Sequence, residues 1–238
     1  MVAVFNARAA RAPITGISSM ATREVLAELA ASYERRTGQR VAIESVGGVE
    51  AARRVEDDEI FDVVVLAADA IERLVVAGCV DATSRVGLAR SGIAVAVAAG
   101  ETRPDIATEA ALRDAILGAR SIGYSTGPSG THLLKLFERW GIAGQIASRL
   151  VRAPSGVPVG RLVARGEVAL GFQQMSELIH VPGIDVLGEL PAAVQLMTTF
   201  TAALCTAARQ RQAAQALLAF LASREADGAK LQNGMSPA

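Results

Sequence analysis

The chain has 238 residues, with 24 basic and 24 acidic side chains, so its formal net charge is zero. That balance excludes the basic excess expected of a non-specific nucleic-acid binder. Half the residues are apolar (51%), enough for one large core or two smaller ones, yet no apolar run is long enough to insert in a membrane.

The opening stretch "MVAVFNARAARAPITG" carries arginines but lacks the apolar core of a Sec leader. This predicts a cytoplasmic protein if the chain is complete, and a periplasmic one if a leader has been removed. Residues 1–13 are expected to be disordered. "PITGISSM" reads as a strand ending in small polar residues. "ATREVLAELAASYERRTG" places Val25, Leu26, Leu29 and Tyr33 at helical spacing, with Gly38 as the C-cap. "RVAIESVGG" is a strand and "VEAARRVEDDE" a helix. "FDVVVLAAD" is a continuous apolar run, the pattern of a strand covered on both faces, and "AIERLVVAG" is a helix. Three strand–helix units in succession predict a parallel sheet with right-handed crossovers.

"ARSGIAVAVAAG" follows as one strand, then the helix "DIATEAALRDAILGA" with Thr108 as N-cap. "SIGYSTGPSGTHLLKLFERWGI" is a short strand, a small-residue turn and an amphipathic helix. "RLVRAP" is a strand, "GVPVGRLVARGE" a helix, "VALGFQQ" a strand and "SELIHVPG" a short helix or turn. "IDVLGELP" and "VQLMTTFTAALCT" are strands, and "RQAAQALLAFLASREADGAKLQNG" is the closing helix.

In open α/β sheets, ligands bind beyond the carboxyl ends of the strands. Here those ends are Ser18-Ser19, Val46-Gly47-Gly48, Ala67-Ala68-Asp69, Ser125 to Gly130, and Gln173-Gln174. They offer hydroxyls, amides and backbone N–H groups, with few charges. "STGPSGTH" is not a phosphate loop: Thr131 follows Gly130 where that motif needs lysine, and Lys135 lies about a turn further on. A helix N-terminus binds anions through its unpaired N–H groups and partial positive charge without a lysine. Gly127 and Gly130 let backbone approach closely, and Ser129 or Thr131 either caps the helix or touches ligand. Three such junctions, at Ser18-Ser19, Gly47-Gly48 and Ser125–Thr131, are more than capping alone requires.

Nucleophilic catalysis has little support, since no G-x-S-x-G elbow is present. Of two histidines, His132 sits in the first turn of the 131–140 helix, and either chemistry or a surface role fits it. No His, Cys and carboxylate cluster has metal spacing, and Cys79 and Cys205 lie far apart, so neither metal nor cofactor is expected. Arg23, Arg85, Arg90 and Arg161 are candidates for bidentate pairing with carboxylates.

The order of "GISSMATREVL", "SVGGVEAARRVEDDEIFDVVVLAADAIERL", "GYSTGPSGTHLLKLFERWGI", "RLVARGEVALGFQQMSEL" and "ALLAFLASREADGAKL" resembles the molybdate-binding periplasmic proteins. These are type II solute-binding proteins of ABC importers. The resemblance implies a clamshell of two α/β domains joined by two crossing strands. It places lobe one at residues 14–90 plus 200–238 and lobe two at 91–199, with crossings near 90–93 and 197–201. It implies a monomer that holds a small anion and, if exported, meets an ABC permease, with no nucleic-acid partner and no membrane insertion. By resemblance, ligand contacts fall on Ser18, Ser19, Gly47, Gly48, Ser125, Thr126, Ser129, Gly130, Thr131, Val157, Gln173 and Gln174. Two positions depart: Gly47-Gly48 stands where the family has a serine, and Gln174 stands at or beside the family's tyrosine. Both changes suit an organic carboxylate better than a compact metal oxyanion. Bacterial aconitate isomerase resembles the same superfamily and moves a proton between cis- and trans-aconitate. That chemistry needs a base, for which His132, Tyr124 and Glu177 are the candidates.

Overall fold

The computed structural model describes residues 12–154 and 156–238. The expectation of disorder for the N-terminal segment lies, up to residue 11, outside the described residues. Ala12 and Pro13 are tied down: their carbonyls accept from Gln39 Nε2 (2.8 Å) and from Gln210 Nε2.

β1 (Ile14–Ser19) leads through a 3-10 turn (Met20–Thr22) into α1 (Arg23–Thr37), β2 (Val41–Val46), α2 (Gly48–Glu56), β3 (Val63–Ala67) and α3 (Ala68–Val76). β4 (Val86–Ser91) and β5 (Ile93–Ala98) follow, separated only by Gly92. Next come α4 (Glu109–Gly118), β6 (Ile122–Tyr124), α5 (Pro128–Arg139), α6 (Ala143–Ile146), β7 (Leu150–Arg152), α7 (Val159–Ala164), β8 (Leu170–Gln174), α8 (Met175–Leu178) and β9 (Ile184–Glu189). β10 (Thr198–Leu204), α9 (Arg211–Leu221), α10 (Asp227–Gln232) and β11 (Ser236–Pro237) close the chain.

The strands form two sheets, of order β11-β4-β10-β3-β1-β2 and β7-β6-β8-β5-β9. In the first, β1 runs parallel to β2 and β3, as successive strand–helix units require, and β10 lies antiparallel between β3 and β4. In the second, β6 is parallel to β7 and β8, while β5 is antiparallel to β8 and β9. Helices cover both faces of each sheet. Leu26 and Leu29 of α1 pack with Leu217 and Leu218 of α9 on one face of the first sheet. Val55, Ile71 and Leu74 pack on the other. That explains why all five residues of β3 are buried. Leu133, Phe137 and Ile116 cover one face of the second sheet, and Val159 and Val163 the other. Each such fully buried side chain contributes roughly 1.5–3 kcal/mol against conformational entropy. No helix among the described residues is long and apolar enough to cross a membrane.

This is a clamshell of two α/β lobes. Gly38 ends α1 in the left-handed conformation (φ 71°), and Thr108 Oγ1 accepts from Ala111 N at 3.1 Å to cap α4, both as the sequence predicts. "ARSGIAVAVAAG", read as one strand, divides at Gly92: β4 belongs to the first sheet and β5 to the second. A Cβ at Gly92 would sit 2.6 Å from Gln195 Nε2 and 2.7 Å from Glu189 Oε1. Gln195 uses that space to clamp the backbone, accepting from Ile93 N (3.0 Å) and donating to Ile93 O (3.1 Å). The two crossings are thereby fastened side by side. The closing stretch, read as one helix, breaks at Ser223, which is extended and donates its hydroxyl to Phe220 O at 2.8 Å. Asp62, buried at the foot of β3, accepts from Thr15 N (2.9 Å), Thr15 Oγ1 (3.1 Å), Arg209 N and Gln210 N (2.8 Å each). It ties β1 to the entrance of α9. Cys79 is half-buried and Cys205 buried, and both are free thiols.

Candidate functional site

The carboxyl ends of β1, β2, β3, β6 and β8 turn directly into helices, and these junctions converge on one cavity of about 130 Å³ between the lobes. Ser19, Met20, Gly47, Gly48, Ala67 and Asp69 line it from the first lobe. Ser125, Thr126, Gly127, Pro128, Ser129, Val157, Gln173, Gln174 and Glu177 line it from the second. The residues that precede α2, α3 and α5 are Gly47, Ala67 and Gly127, and none supplies a side-chain cap. Thr108-capped α4 has no residue in this cavity. Three helix ends therefore present N–H groups that no side chain of their own cap satisfies, around one space. Their partial positive charges make it favourable for an anion.

Ser19 sharpens this. It precedes the 3-10 turn as its N-cap, yet its side chain makes no capping bond. Its Oγ is buried and has no hydrogen-bond partner among the described residues. A buried orphan hydroxyl costs about 1–3 kcal/mol unless something else binds it. Ser18, one residue earlier, alternates to the other side of β1 and meets Ser45 Oγ at 2.7 Å. Ser19→Ala is expected to leave the ligand-free protein as stable or slightly more stable, and to weaken ligand binding about tenfold. Thermal unfolding with and without ligand reads both effects, and a variant that loses stability and keeps affinity would assign Ser19 a structural role.

The second lobe adds a carboxylate. Gln173 Oε1 accepts from Val159 N (2.7 Å), the first N–H of α7, and Gln173 Nε2 donates to Glu177 Oε1 (2.7 Å). Glu177 is half-buried between the lobes, and this burial pushes its carboxyl up from 4.5 to about 7, with the Gln173 bond opposing the shift. Gln174 lines the cavity with its polar atoms already engaged. With the amide oxygen accepting from the Thr198 hydroxyl (2.8 Å), its nitrogen donates to Ser91 O (2.9 Å) and Gly92 O (3.2 Å). It joins the second lobe to both crossings.

The cavity gathers Ser19, Gly47, Gly48, Ser125, Thr126, Ser129, Val157, Gln173, Gln174 and Glu177 of the residues expected from sequence. Ser18 lies behind Ser19. Gly130 is buried under the turn, where a Cβ would sit 1.7 Å from Ser125 O. Its missing side chain admits the turn's own carbonyl. Tyr124 packs against the second-lobe core. Thr131 and His132 line a groove beside α5 that adjoins the cavity and shares Asp69, Arg73, Thr126, Gly127 and Pro128 with it, and there His132 Nε2 lies 2.8 Å from Val194 O. Sequence reading missed Arg73, which lines the cavity one turn into α3 and pairs with Asp69 at 3.1 Å. An i, i+4 spacing to Asp69 was its available signal. Phe200, from the start of β10, was also missed.

Two α/β lobes, two crossings and a cleft walled by helix N-termini define a type II solute-binding clamshell. The chain belongs to the bacterial extracellular solute-binding protein family, whose sequence pattern matches residues 14–236. It is 38% identical over 230 residues to an aconitate isomerase of a Pseudomonas species, covering 94% of this chain and 87% of that protein. Among solved structures it is similar to the Azotobacter vinelandii periplasmic molybdate-binding protein (TM-score 0.79, 19% identity, 93% of this chain and 98% of the other). It is also similar to the sulfate-binding protein SubI of Mycobacterium tuberculosis (TM-score 0.75, 19% identity, 96% and 88%).

Proposed function

We propose that the protein binds an unsaturated polycarboxylate in the cleft and isomerises it by moving a proton, as the name of its aconitate isomerase relative suggests. One observation carries this reading: Glu177, a half-buried carboxyl poised near neutral pH, stands in the wall of a cavity otherwise built for anions. A site meant only to capture an anion gains nothing from a carboxyl there, because an ionised one repels the ligand. A proton-transfer site needs such a group, and a pKa near the working pH suits both halves of the transfer. In the proposed step, Glu177 takes a proton from the methylene carbon beside a carboxylate. The C–H electrons form the new double bond, the old one opens, and its far carbon takes the proton back from Glu177. The atoms balance, and the double bond has moved by one position. Backbone N–H groups at the helix ends hold the carboxylate on which negative charge gathers meanwhile.

The test is incubation of the purified protein with trans-aconitate and separately with cis-aconitate, followed by chromatography. Approach to the same mixture from both sides is the expected result. The second reading, favoured by the family's description, is a binding protein that delivers a small anion to an importer. Unchanged aconitate in the presence of tight binding to it, or to molybdate, tungstate or sulfate in calorimetry, would replace the first reading with the second.

A further inference from the structure

A second cavity, of about 330 Å³, opens beside the first and shares Met20, Pro158 and Glu177 with it. Its other walls bring together Arg23 from the first lobe and Arg161, Arg165, Ser176 and His180 from the second. Arg161 has no carboxylate partner among the described residues, and Arg165 is 3.7 Å from Glu167, beyond a hydrogen bond. Arg23 directs Nε and Nη2 to the single oxygen Glu24 Oε1. Ser176 Oγ is buried and, among the described residues, has no hydrogen-bond partner. His180 is turned to Asn233 Oδ1 at 3.1 Å.

Beyond the partial charges of its helix ends, the main cavity offers a trianion little: its one guanidinium, Arg73, pairs with Asp69, and its other side-chain donors are neutral. The adjoining cavity has the reverse character, with three guanidiniums, a hydroxyl that needs a partner, and Glu24 and Glu177 as its acids. We propose that this second cavity is a carboxylate subsite in which Arg161, flanked by Arg165, Arg23 and the Ser176 hydroxyl, takes the outermost carboxylate of a tricarboxylate. The inference rests on the polycarboxylate reading above and deepens it. A ligand that spans both cavities crosses the boundary formed by Met20, Pro158 and Glu177, which brings the carbon between its carboxylates beside the one carboxyl group on that boundary. Because Arg23 and Arg161 come from opposite lobes, the same carboxylate also draws the lobes together.

The test is calorimetry with two saturated acids that the protein cannot isomerise, the tricarboxylate tricarballylate and the dicarboxylate glutarate, on wild type, Arg161→Gln and Arg161→Lys. Arg161 is exposed, so its replacement leaves folding intact. Arg161→Gln is expected to weaken tricarballylate about tenfold or more and to change glutarate by less than about twofold, with Arg161→Lys between. Equal losses for both acids, or none for either, would overturn the subsite and leave the polycarboxylate reading standing. Failure of wild type to bind either acid would overturn both.

Discussion

Glu177→Gln is expected to slow aconitate isomerisation by about 10²–10⁴-fold while leaving tricarboxylate affinity unchanged or tighter. Glutamine keeps the oxygen that accepts from Gln173 Nε2 and so preserves the local hydrogen bond. It removes the only step that needs a transferable proton, together with the negative charge that opposes the ligand. The same substitution has a signature that requires no substrate. Burial raises the carboxyl from 4.5 to about 7, so across that window the folded chain holds a proton that the unfolded chain has released. Stability is therefore greatest below about pH 4.5 as far as this group is concerned, falls as pH rises towards 7, and stays low above it. The variant lacks this decline, which is worth on the order of 1–3 kcal/mol for such a shift. Wild type and variant that unfold in parallel from pH 5 to 8 would show that the carboxyl is not strained by burial. An active variant would remove Glu177 from the chemistry altogether.

Gly130→Ala should abolish ligand binding, by 100-fold or more, and cost about 3 kcal/mol or more of stability. The new Cβ would lie 1.7 Å from Ser125 O and 2.8 Å from Ser125 C, and backbone atoms inside a packed turn cannot step aside as a side chain can. The displaced segment is Ser125–Pro128, one wall of the cavity, so the folding and binding defects share a cause. Gly127→Ala is the control. There the nearest atom to a new Cβ is Ser125 Oγ at 3.8 Å, and φ is −82°, which alanine adopts freely. Urea unfolding and calorimetry on the pair should separate them sharply. Similar behaviour of the two variants would mean that the turn relaxes around either side chain.

Much of the fold was legible because burial leaves a periodic trace. β3 reads as a run of apolar residues because helices cover both its faces, and α1 reads as a helix because Val25, Leu26, Leu29 and Tyr33 form one stripe against the first sheet. The passage between lobes at Gly92 leaves no such trace. β4 mixes buried Leu88, Ala89 and Ser91 with exposed Gly87 and Arg90, β5 is an apolar strand buried along nearly its whole length, and neither pattern records which sheet a strand joins. Resemblance to a family supplied that position. At the site, the small-residue junctions were legible as a group, because their composition follows from their place at strand ends. Ser18 and Ser19 were not separable, since which one faces the cleft depends on the phase of β1 against β2. Glu177 read as a weak candidate because its environment is made by chain far away, where α8 meets the turn after β1. Arg23 and Arg161 are two of four candidate arginines that nothing in the sequence singles out, Arg165 is not among the four, and only the folded chain brings the three together beside Ser176.

The placement of β10 between β3 and β4 bears on how the chain is made. The second sheet draws all its strands from residues 93–189, so its partners emerge from the ribosome in one continuous stretch. The first sheet is different. β3 and β4 have no contact along their edges until residues 198–204 arrive to lie between them. During synthesis, β1, β2 and β3 wait with an open apolar edge while the other half of the molecule is completed. A late-made strand thus closes the first-made sheet, and the vulnerable interval for aggregation runs from the emergence of β3 to that of β10.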